Sequence, residues 1–250
     1  MQRLFALGAL LLAIAVPACA APLTVAVAAN MQYAFADLQA AFKQETGQEL
    51  EPVYNSSGKF TAQIMNGAPF DVFLSADMAY PEKLHEAGFA AEAPKPYAYG
   101  ALVLWTMKDL DLGHWRQTLG SSAVGKIAVA NPKTAPYGRE TMHALAHLKL
   151  EAALRPRLVF GDSISQTNQY IHSGVADAGF TAKSAVLAPQ MRGQGKWVDL
   201  PRDAYQPIAQ GAVILKHWLQ VNPQAAQRFY DFLYAAKARA ILQRYGYLLP

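Results

Sequence analysis

Short β-prone runs alternate with helix-patterned segments along the chain after residue 22, and this alternation limits the fold more than any other feature. "LTVAVAA" (23–29) leads into a segment with Met31, Phe35, Leu38 and Phe42 on one face and Gly47 as its stop. "LEPVY" (50–54) leads into a short helix after Ser57 that ends near Gly67. "DVFLSA" (71–76) leads into a helix from Tyr80 to Ala87, with Asp77 as its cap and Gly88 past its end. Strands joined by helices of this length predict an α/β fold, a parallel sheet with helices on both faces.

After a long extended run, "YAYGALVLWT" (97–106), the pattern restarts. Strands are expected at 126–132, 157–161, 177–182 and 210–216, and helices at 137–148 and 164–173. The Gly/Pro-rich stretch 188–207 reads as loop. Residues 223–245 read as one long amphipathic helix with Phe229, Phe232, Leu233, Ala236, Ala240 and Ile241 inward. The restart predicts two lobes, with the runs at 97–106 and 206–216 as crossings between them. Lobe 1 is then discontinuous (21–98 and 207–250) and lobe 2 is 99–206. Ligands of such folds sit in the cleft, at the carboxyl ends of strands.

The first twenty residues differ from the rest. Arg3, the apolar run "LFALGALLLAIAV" and Ala18-Cys19-Ala20 read as a secretory signal peptide (1–20) cleaved after Ala20. The apolar run is short for a membrane span. Cys19 as a lipidated residue is the weaker alternative, because Pro17 fits a lipobox poorly. Cys19 is also the one cysteine of the chain. Cleavage would therefore leave a mature protein without disulfides, a Cys nucleophile or a thiolate metal site. About 230 remaining residues suffice for an ordinary hydrophobic core. The formal charge is +4, spread without a Lys/Arg block, which argues against nucleic-acid or polybasic membrane binding. A periplasmic monomer is expected.

Four strand-to-helix junctions stand out: "VAANMQYA" with Asn30, "YNSSGKF" with Ser56, Ser57 and Gly58, "NPKTAPYG" with Pro136, Tyr137 and Gly138, and "GDSISQ" with Asp162, Ser163, Ile164 and Ser165. Each puts unpaired N–H groups at a helix start. Singly, each reads as an ordinary N-cap. Together, two from each lobe and facing one cleft, they describe a site for a small dianion held by neutral donors. Other constellations are weaker. His143 and His147 have i, i+4 metal spacing but lack a third ligand. Asp71 and Asp77 read as strand-end or capping residues. Lys59 reads as solvent-facing, with long-range attraction for an anion as its other role. The aromatic and basic C-terminal segment has helical, core-packing spacing. No G-x-S-x-G, H-E-x-x-H or Cys-His arrangement is present.

"TVAVAAN", "NSSGKFTAQIMNGAPFDVFLSAD", "YGALVLW", "IAVANPKTAPYG", "GDSISQTNQYIHSGVADAGFTAKSA" and "RYGYLLP" together resemble the periplasmic molybdate-binding proteins of ABC importers, over essentially the whole mature chain. The resemblance implies a two-lobe type II periplasmic binding-protein fold. It implies capture of molybdate or tungstate in the interlobe cleft, delivery to a membrane permease, no further cofactor and no direct protein ligand to the metal. Carried over, the oxyanion contacts fall on Ala29, Asn30, Ser57, the backbone N–H of Tyr137 and the backbone N–H of Ile164. Many members have a tyrosine on the late strand whose hydroxyl completes the site, and Ala182 stands near that place here. The chain thus resembles a subgroup with Asn at the first junction, and Asn30 and Ser57 are expected to supply most side-chain donation. Rival readings are another oxyanion such as sulfate, a small carboxylate, or an exported α/β enzyme, for which no nucleophile–base pair is evident.

N-terminal sequencing of the exported protein should begin at Ala21. An acylated product beginning at Cys19 would instead establish the lipoprotein form.

Overall fold

The computed structural model describes residues 21–216 and 223–250. The expected signal peptide, with Cys19 and the Ala20 cleavage site, lies outside them. The strands are β1 (Leu23–Ala28), β2 (Leu50–Asn55), β3 (Val72–Leu74), β4 (Lys95–Gly100), β5 (Leu102–Thr106), β6 (Ile127–Ala130), β7 (Leu158–Gly161), β8 (Ala178–Ala182), β9 (Lys196–Asp199) and β10 (Ile208–Ile214). The helices are α1 (Gln32–Thr46), α2 (Ser57–Met65), α3 (Ala79–Glu86), α4 (Trp115–Gly120), α5 (Pro136–His147), α6 (Glu151–Leu154), α7 (Ile164–His172), α8 (Lys183–Val186), α9 (Pro223–Phe232) and α10 (Ala236–Arg244).

The strands form two five-stranded sheets of matching design, β2-β1-β3-β10-β4 and β7-β6-β8-β5-β9. In the first, β1 pairs in parallel with β2 and β3, and β10 runs antiparallel to β3 and β4. In the second, β6 pairs in parallel with β7 and β8, and β5 runs antiparallel to β8 and β9. The sheets are thus mixed rather than purely parallel. The extended run 97–106 divides after Gly100, so that β4 belongs to one sheet and β5 to the other, with Ala101 between them.

Period-two burial sorts each strand between two layers. Leu23, Val25 and Val27 of β1 join a core with Phe35, Leu38 and Phe42 of α1, while Ala26 faces Phe60 and Ile64 of α2. In the second sheet Leu102 and Leu104 face Ala144 and Leu145 of α5, and Val103 and Trp105 face Ile171 of α7. Helices therefore cover both faces of each sheet, as continuous apolar strands require. Among the described residues no helix is long and apolar enough to cross a membrane.

Several element boundaries differ from the sequence reading. The expected helix 223–245 is two helices, broken around Ala235, whose backbone is extended (φ −71°, ψ 154°). The break shifts the inward register. Phe229, Phe232 and Leu233 are buried as expected, but after it Ala238, Ile241 and Leu242 face inward while Ala236 and Ala240 are exposed. Apolar spacing of three and four continues across the break, so periodicity does not reveal it. The stretch 188–207 contains β9, whose Val198 and Trp197 pair with Leu104 and Trp105. Four residues flanked by Gly and Pro carry little local signal, and the tertiary partner makes the strand. β3 covers three residues rather than the expected run 71–76.

Phe229 anchors α9 on α1. It is fully buried and meets Phe35 and Phe42 edge-on, with ring centroids 6.0 and 5.2 Å apart. Phe229→Ala should cost about 3–5 kcal/mol of unfolding free energy. Urea denaturation should show a lower midpoint with an unchanged slope.

Candidate functional site

Parallel strands deliver their carboxyl ends to one edge of a sheet, and here each turns at once into a helix. β1 ends at Ala28 and passes through a single 3₁₀ turn, Ala29–Met31, into α1. β2 ends at Asn55, and α2 begins at Ser57. In the other sheet β6 leads to α5, which begins with Pro136, a residue suited to the first helical position because its missing N–H would be unpaired there anyway. β7 leads through Asp162 and Ser163 to α7 at Ile164. The first N–H groups of these helices have no partner inside the helix.

The four junctions meet around one small cavity, about 10 Å³ of free space and on the order of one water-sized sphere. All five residues expected from the sequence line it: Ala29, Asn30, Ser57, Tyr137 and Ile164. Ser56, Ala76, Ala135 and Pro136 complete much of the wall, and no ionisable side chain other than the neutral Tyr137 lines it. Ala182 ends β8, fully buried, and its methyl group offers no donor.

Neither serine of "NSSG" caps its helix. The cap residue Ser56 makes no side-chain capping bond, and its hydroxyl is buried without a partner among the described residues. The fully buried Ser57 hydroxyl accepts the N–H of Ala76 at 2.9 Å. That contact occupies a lone pair and leaves the hydroxyl hydrogen to donate elsewhere. Of the cap residues at the four junctions, Ser163 alone makes a side-chain capping bond among the described residues, accepting from Gln166 N at 3.4 Å.

Asn30 is placed differently from the expectation of a side-chain donor. Its Nδ2 donates to Gln210 Oε1 at 2.7 Å and to the Tyr247 hydroxyl at 3.0 Å. Both amide hydrogens are therefore committed to protein, and a ligand would meet Asn30 through its backbone N–H. Tyr137 sends its side chain away from the helix start to a buried place against Gly100. A Cβ on Gly100 would come within 1.9 Å of the Tyr137 hydroxyl, so any larger residue there would push the buried Tyr137 side chain out of place. Gly138 is required, because a Cβ would meet the Ala130 carbonyl oxygen at 2.0 Å. Burial raises the Tyr137 hydroxyl well above the usual tyrosine range and pushes Tyr247 up to about 12, so both remain neutral at physiological pH.

A ring of polar contacts joins the two sides of the cavity. Gly58 N–H donates to Thr134 O at 2.9 Å, and the Tyr80 hydroxyl donates to Lys133 O at 3.2 Å. Lys59, partly exposed as expected, pairs with Asp162 at 2.8 Å, so it is not a lone cation. Asp77 accepts from Tyr80 N at 3.2 Å as an expected cap, and its other oxygen meets Arg139 at 2.9 Å. Burial works against the Arg139 charge, but Asp77 and Glu140 outweigh it and raise its pKa. Gln32 and Ser165 close the ring through their side chains. His143 contacts Glu140 at 3.1 Å, and among the described residues no group of three or more His, Cys, Asp or Glu is placed to hold a metal.

Sequence reasoning named Ser56 at its junction but not among the contacts, and it missed Ala76 and the residues behind Asn30. Ser56 was visible in the motif. Gln210 and Tyr247 are 180 and 217 positions from Asn30, beyond any local signal.

The pattern for bacterial extracellular solute-binding proteins matches residues 23–248. The molybdate-binding protein ModA of Azotobacter vinelandii is 42% identical over 97% of this chain and 95% of its own length. That of Rhodobacter capsulatus is 37% identical over 96% and 93%. The solved structure of the Azotobacter vinelandii periplasmic molybdate-binding protein superposes with a TM-score of 0.85 at 36% identity, covering 91% of this chain and 99% of that one. The chain therefore belongs to the bacterial extracellular solute-binding protein family, alongside these two molybdate-binding proteins, and has the two-lobe type II periplasmic binding-protein fold.

Proposed function

We propose that this protein captures molybdate or tungstate between its lobes and delivers it to the membrane permease of an ABC importer. The observation that carries the reading is the pair of buried serine hydroxyls at the start of α2. Neither caps the helix, and both line a cavity onto which four helix starts converge. Backbone N–H groups of Asn30, Ser57, Tyr137 and Ile164 and the Ser57 hydroxyl would surround a tetrahedral dianion with neutral donors. The 42% identity to a molybdate-binding protein supports the choice of ion.

In this reading the protein binds and does not catalyse. It works as a monomer in the periplasm, after removal of residues 1–20, with no cofactor and no nucleic-acid partner. The lobes are residues 21–98 with 207–250, and 99–206. They close by hinge motion at the two chain crossings, and the rim contacts form on closure. Sulfate has the same shape and charge, so cavity size must discriminate against it. Phosphate is partly protonated at neutral pH and needs an acceptor, which a donor-lined wall supplies poorly.

Calorimetric titration with molybdate, tungstate, sulfate and phosphate tests the ion. Heat with molybdate or tungstate and little with the others is expected, while binding of sulfate alone would overturn the assignment. Ser57→Ala removes a hydrogen bond to a charged group, worth about 1.5–3 kcal/mol, so affinity should fall about 10- to 100-fold. An unchanged Kd would return Ser57 to a purely structural role. Small-angle scattering should show a smaller radius of gyration with ligand than without. Identical curves at saturation would mean a preformed site.

A further inference from the structure

Behind the cavity wall lies a buried polar cluster that no local motif predicts. The Asn30 carbonyl accepts from two hydroxyls, Ser184 Oγ at 2.7 Å and Tyr247 at 3.1 Å. Its side-chain amide, as described, donates to Gln210 and Tyr247. Gln210 Nε2 donates to the carbonyls of Ile208 at 3.0 Å and Ala76 at 3.3 Å. All four side-chain owners, Asn30, Ser184, Gln210 and Tyr247, are buried.

The directions of these bonds follow from chemistry. Two carbonyls require the NH₂ end of Gln210, so its Oε1 must accept and Asn30 must present Nδ2 to it. The Tyr247 hydroxyl has one hydrogen, which goes to the Asn30 carbonyl, and its lone pair takes an Nδ2 hydrogen. Gln210 also ties two junctions together. Its donor holds the carbonyl of Ala76, whose N–H holds the Ser57 hydroxyl, while its acceptor holds Asn30. One side chain thus connects both cavity-lining groups of the first sheet.

We propose that Tyr247, acting with Gln210 and Ser184, is a positioning residue for the oxyanion site. It holds the peptide planes around Asn30 at the angle the bound ion requires, and it does so without touching the ion. A carbonyl that accepts two hydrogen bonds is fixed in orientation, and with it the plane of the peptide at the turn where β1 passes into α1. The Ser184 bond adds a link between the two sheets. Ser184 lies on α8, directly after β8 of the second sheet, whereas Asn30 follows β1 of the first. The bond thus joins an element that follows the second sheet to the turn that follows β1, and the same segment packs Ala188 into the core of the first sheet. With alanine at position 182, a hydroxyl from the C-terminal segment supports the site from behind instead of entering it.

This inference rests on the proposed oxyanion function, and stopped-flow and calorimetric binding of molybdate separate the two. Tyr247→Phe keeps the ring and removes the hydroxyl, and Ser184→Ala removes the bridging bond. Each should weaken molybdate binding about five- to tenfold, the scale of one lost hydrogen bond. The loss should appear mainly as faster dissociation, because the cluster aligns donors that hold an ion already bound and does not meet the ion on its way in. Tyr234→Phe, which removes an exposed hydroxyl bonded to Lys95 O, serves as control and should bind normally. A simply structural cluster would lower thermal stability and leave the dissociation rate alone. Affinity within twofold of wild type in Tyr247→Phe, or a loss carried by association alone, overturns the positioning role. Wild-type protein that binds no molybdate overturns the functional reading itself.

Discussion

Everything at the site depends on unpaired backbone N–H groups at the tips of short parallel strands. Parallel register brings Ala28 level with Asn55, and Ala130 level with Gly161, so the helix starts that follow gather at one edge of each sheet. A helix start carries free donors and partial positive charge, and favours an anion without a formal cation beside it. Setting two such edges face to face encloses the donors. Inside that enclosure a charge-assisted hydrogen bond is stronger than in water, and a misaligned one is correspondingly expensive. The close contacts at Gly100 and Gly138 and the buried cluster around Asn30 all serve alignment.

Polar contacts make up the rim between the lobes. The second core reaches the first sheet through small residues, Ala28, Ala29 and Ala76, together with Ile208. Little apolar area is therefore gained there, at about 25 cal/mol per Å². The exposed Lys59–Asp162 pair adds little by itself. Arg139 and the mostly buried Asp77 are better shielded and more directional. The residues shared across the two sheets are mostly small, so little hydrophobic surface lies between them. Weak rim contacts are what the proposed closure around a small ion would require.

Much of the fold was legible. Met31, Phe35, Leu38 and Phe42 are buried as their spacing predicts, and the junction residues Ala29, Asn30, Ser57, Tyr137 and Ile164 line one cavity. These features are local: a period, a turn residue, a strand ending in a helix start. The misreadings are where local pattern and tertiary need diverge. Apolar spacing carries on through Ala235 although the chain bends there, and β9 exists because β5 offers it an edge. Lys59 is solvent-facing as read, but its partner Asp162, 103 positions away, carries no local signal.

By itself, the sequence determined the α/β architecture, the strand-to-helix junctions and the residue types at them, because backbone propensity and hydrophobic period act over a few neighbouring residues. Only the tertiary structure decided which hydrogens those residues have left to give. Ser57 keeps its proton because Ala76 donates to it, and Asn30 has spent its amide on Gln210 and Tyr247. A hydrogen bond is settled by whatever group arrives within about 3 Å in the right direction, and chain separation places no limit on where that group comes from.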